Sequence, residues 1–192
     1  MAATVVDPRA PMSSAPMKFD PQGQVDWGNM WDSFCVLAQA GGPPHRGTRL
    51  EPRPAPKTAD PSYAWASAEI SRGITAVSGL LVRTAEPGWL AVECGSAGMA
   101  RWLADAIEAE NVAARAEGEQ LWVPVDGSFR LDGEIKNVIT VVAKTTHYWQ
   151  QHLPAETKQT LAAEALLRNW WAGWRRRLAA WRGRATGTTS HA

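Results

Sequence analysis

Proline decides where this chain can form regular structure. Ten of its 13 prolines fall in two stretches, residues 1–24 and 41–61. Proline lacks an amide donor and fixes φ, so each stretch interrupts helices and sheets alike. The first reads as a flexible arm over residues 1–25 and the second as a connecting loop over 41–60. That leaves one domain over 26–182, followed by a Gly/Thr/Ser-rich tail over 183–192 that is expected to be disordered.

A chain of 192 residues, 45% hydrophobic and 20% charged, has the length and composition for a real core. No apolar run approaches the ~20 residues that a spanning helix needs. The net charge of +1 argues against a nucleic-acid binder working through bulk charge. Met1–Gln24 has no apolar stretch of the signal-peptide kind, and two distant cysteines, Cys35 and Cys94, form no disulfide framework. Together these features lead to the expectation of a cytoplasmic protein.

Periodicity then assigns the elements. Trp27, Met30, Trp31, Phe34, Cys35 and Ala38 form one helical stripe over 26–40, which Gly41-Gly42 can end. Asp60-Pro61 opens a second helix, with a stripe of Tyr63, Ala66, Ile70, Ile74 and Val77. The runs 80–84 and 89–94 flank Pro87-Gly88, the signature of a type II turn, and read as a β-hairpin. A helix capped by Ser96 is expected to run to Arg115, with a strand over 121–125 lying parallel to its neighbour through a crossover. The β-branched run Val138–Val142 looks like a strand. Yet Ile135, Val138, Ile139, Val142, Thr146 and Trp149 keep helical spacing, so 134–149 is read as helix. A last helix runs from Pro154 to Arg182. The sum is a two-layer α+β domain, a small sheet of about three strands packed against four to five helices.

The last helix carries the strongest functional signal. Leu167, Trp171, Trp174, Leu178 and Trp181 recur at 4, 3, 4, 3 spacing, with Trp170 on the flank. Such a seam packs lengthwise against another surface. Arg175 and Arg176 project beside it, and from Pro154 onward seven Lys/Arg face two acids, a local net of +5. The seam either closes the protein's own core or docks a protein partner or second copy. Tryptophan with arginine also suits an anionic membrane surface, and less well nucleic acid.

Three other places could carry chemistry. Cys94-Gly95-Ser96 leaves a strand and enters a helix, where amide donors and the helix dipole could activate a thiol or hold an anion. His147 could serve such a thiol as a base. A buried cysteine followed by a serine cap explains the same residues without chemistry. His45 and Arg46, at the tip of a Gly/Pro-dense loop, could meet an anionic ligand or merely connect two helices. His147 and His152 are five residues apart and diverge by about 140° on an α-helix, so no metal site and no cofactor are expected. The primary reading is a non-catalytic accessory or assembly protein that binds through its C-terminal helix. The alternative is a small enzyme or ligand-binding protein with its site at Cys94.

Overall fold

The computed structural model describes residues 16–30 and 47–164. Helix α1 (Pro61–Ser78) begins where the Asp60 carboxylate accepts the Ser62 amide at 2.9 Å. It ends at Gly79, whose φ of 72° lets its amide reach the Thr75 carbonyl. Tyr63, Ala66, Ile70 and Ile74 are buried along one stripe.

Strands β1 (Val82–Thr84) and β2 (Trp89–Glu93) form the hairpin. Gly88 supplies the positive φ, 88°, that a type II turn needs after Pro87. Helix α2 (Ala97–Ala109) follows, capped by the Ser96 hydroxyl, which accepts the Met99 amide at 3.1 Å. A second hairpin joins β3 (Arg115–Glu117) to β4 (Gln120–Pro124). The sheet order is β1-β2-β4-β3, with every neighbouring pair antiparallel.

The parallel crossover is therefore corrected. Helix α2 stops at Ala109, and Asn111 takes a left-handed φ of 60°. Residues 110–114, read as helix, leave the helix through a turn, and Arg115–Glu117 form an edge strand that runs in the same direction as β2. Strand β4 then doubles back into the gap between them. One additional turn of chain converts a parallel neighbour into an antiparallel one.

Leu90, Val92, Leu121 and Val123 point from the sheet into the helical layer and are fully buried. Each such side chain removed from water contributes about 1.5–3 kcal/mol. On the opposite face the Arg115 guanidinium stacks over Trp89 and Trp122, 4.8 and 4.2 Å from their ring centres. The architecture is a two-layer α+β fold.

Helix α3 (Lys136–His147) occupies the β-branched segment. Ten of its twelve residues are buried, so it lies inside the helical layer and shows no polar face. Two of its buried threonines are satisfied because Thr140 and Thr145 donate to the carbonyls of Lys136 and Val141, 2.6 and 2.8 Å away, whereas the buried Thr146 hydroxyl has no partner among the described residues. A wide π-type turn precedes α3 (Leu131–Ile135) and another follows it (Tyr148–His152). Residues 155–164 are helical after Pro154.

Part of the expected arm is docked. Phe19 bridges to Val25, and Arg72 of α1 donates to the Val25 carbonyl at 2.9 Å. The Trp27 indole, buried in the helical turn 27–30, donates to Glu69 at 2.8 Å. Proline count alone hid these anchors, which depend on α1. The rest of the 26–40 helix, and the tail 183–192, lie outside the described residues.

Candidate functional site

Cys94 sits at the end of β2 with its amide bound to the Glu119 carbonyl at 2.9 Å. Only 2% of the residue is exposed, and its Sγ lies 3.7 Å from the Val92 carbonyl. Burial pushes the thiol up to about 12, against a small opposing pull from a backbone hydrogen bond at Leu121. A thiolate at neutral pH is therefore strongly disfavoured. Ser96 is occupied as the helix cap, while Gly95 is exposed above a shallow depression of about 400 Å³ that Glu93 and Glu119 also line. Two carboxylates beside the turn oppose an anion there.

His147 lies at the C-terminal end of α3 and its ring meets His152. The two Nε2 atoms are 3.3 Å apart and the ring centres 5.1 Å apart. The expected divergence of the two histidines is overturned. An α-helix would separate them by about 140°, but a π turn has about 4.4 residues per turn and brings residues five apart to within about 50° of each other, on one face. The Leu153 amide donates to the Tyr148 carbonyl at 3.1 Å, the five-residue bond that marks this turn. Burial, then the nearby His152, holds the His147 imidazole below its ordinary value, which favours its neutral form.

A third feature escaped the sequence reading. Trp65 is 50% exposed on α1, at the lip of a groove of about 350 Å³ between α1 and residues 23–25. Glu69 and Arg72 in that groove are joined by two hydrogen bonds of 2.6 and 3.0 Å. The signal was present in the α1 stripe, because Trp65 falls outside the series Tyr63, Ala66, Ile70 and Ile74.

His45 and Arg46 lie outside the described residues. So does the whole tryptophan seam, Leu167, Trp170, Trp171, Trp174, Arg175, Arg176, Leu178 and Trp181. Among the described residues no group of three or more His, Cys, Asp or Glu is placed to hold a metal ion, and no helix is long and apolar enough to cross a membrane. Comparison with protein-family models, curated proteins and solved structures finds no match.

Proposed function

We propose that this chain is a non-catalytic accessory or assembly protein of the cytoplasm. It binds a protein partner, or a second copy of itself, through the Trp/Arg-rich residues 167–181, which the sequence reads as part of an amphipathic helix over 154–182. The observation that carries this reading is the closure of Cys94, the nucleophile on which the enzyme alternative depends. A buried thiol pushed up to about 12 gives that alternative no reactive group. The positive support is aromatic: four of the eleven tryptophans lie within 170–181, and Trp65 adds a half-exposed ring on α1. Exposed tryptophan is the residue type most enriched in binding hot spots.

Trp171→Ala with Trp174→Ala tests the reading in the full chain. An interface role leaves the unfolding midpoint almost unchanged and removes self-association, read by sedimentation, or loses the partner that co-purifies with the parent protein. Each hot-spot truncation costs about 2 kcal/mol or more of binding. A core role instead lowers the stability of the monomer by about 3–5 kcal/mol per tryptophan and sinks the proposal.

A further inference from the structure

The π turn after α3 does more than reverse an angle. It aims two imidazoles at one point on the surface: His147 is half-buried and His152 exposed. The Tyr148 ring lies against His152, with centres 5.1 Å apart.

We propose that His147 and His152 bind a divalent transition-metal ion of the zinc type through their Nε2 atoms. Two nitrogens each about 2.0–2.1 Å from a tetrahedral zinc ion lie about 3.3 Å apart. The observed separation is 3.3 Å. The ring centres give a second measure. With each nitrogen about 1.15 Å from its ring centre, a shared tetrahedral ion sets the centres about 5.2 Å apart, whereas an in-line N–H···N hydrogen bond sets them about 5.6 Å apart. The observed value, 5.1 Å, matches the shared ion.

The ligand chemistry agrees. Imidazole nitrogen suits zinc, copper and nickel over magnesium or calcium, which take oxygen donors. Two protein ligands leave two positions of a tetrahedral ion for water or an outside donor, an open site rather than a closed structural one. The site uses neither Cys94 nor any residue of the tryptophan seam, so it does not depend on the proposed binding function.

Calorimetric titration of the metal-stripped full chain with Zn²⁺ tests it. One-to-one saturable binding is expected. His152→Ala and, separately, His147→Ala weaken it at least about tenfold, since even outer partners of metal ligands are worth that much. His45 and His191 remain in both variants, so the loss reports this pair. Because His152 is exposed, its variant keeps the parent's circular dichroism and melting midpoint. Co²⁺ in place of Zn²⁺ gives the intense visible bands of a tetrahedral ion, and His152→Ala removes them. The proposal is overturned by absence of saturable binding, by binding that survives both substitutions, or by the weak spectrum of an octahedral Co²⁺ ion.

Discussion

A thiol sealed at the end of a strand has a measurable signature. The unfolded chain releases the Cys94 proton near pH 9, whereas the folded chain holds it up to about 12. The folded state thus binds more protons between these values, and stability present below pH 9 is lost as pH rises through that window. Cys94→Ala removes the effect, so its melting midpoint falls less between pH 9 and pH 11 than the parent's. A parallel fall in both proteins would contradict the assignment. Thiol reagents at neutral pH should label Cys94 only on unfolding, as peptide mapping resolves it from Cys35. At this scale the capping residues were legible from local chemistry alone: Asp60 before Pro61, and Ser96 three residues ahead of Met99. The reach of His147 to His152 was not, because it depends on a turn geometry that five letters of sequence do not encode.

Between elements, α1 packs closely against α3 at a glycine. A Cβ on Gly73 would fall 2.3 Å from Ile139 Cδ1 and 2.8 Å from its Cγ1. Gly73 is therefore there to let two helices touch, and it has no left-handed φ to explain it otherwise. Gly73→Ala should destabilise the fold by about 1–3 kcal/mol, the usual cost of overpacking. Ile139→Ala alone costs about 2–5 kcal/mol as a core truncation, but the double variant should lose less than the sum of the two, because the truncation clears the atoms in the way. Denaturant unfolding of the single and double variants measures both terms, and additive losses would contradict the contact. Helix α3 itself was readable because its apolar residues keep helical spacing over four turns, which outweighed their β-branching. Strand β3 was missed for the opposite reason. Arg115-Ala116-Glu117 is short and mostly polar, has no alternation to display, and exists because β4 pairs with it and Arg115 stacks on Trp122. Once β3 was lost, β4 had nowhere to return from, and the sheet was read as parallel.

For the molecule as a whole, the helical residues 155–164, which precede the seam in sequence, pack Leu161 against the core and come close to α2 at Gly98. A Cβ on Gly98, in the first turn of α2, would lie 2.7 Å from the Ala162 amide nitrogen and 2.8 Å from its Cα. These are backbone atoms, so no side-chain rotamer relieves the clash, and helix 155–164 must shift as a unit. The sequence showed a 4-3-4-3 stripe starting at Leu167 but gave no sign of this anchor, since a glycine at a helix start reads as mere tolerance. Gly98→Ala should loosen 155–164 while leaving the sheet intact. Hydrogen exchange should then rise over 155–164 and stay unchanged in β2 and β4, whose buried ladder sets the global stability. If the seam binds its partner from a position fixed by this joint, the same variant weakens binding without the loss of any tryptophan. Ordering a loosened helix on binding costs free energy that the parent has already spent in folding. Unchanged exchange over 155–164 would show that the joint does not hold that helix, and unchanged binding with raised exchange would show that the seam acts independently of the layers beneath it.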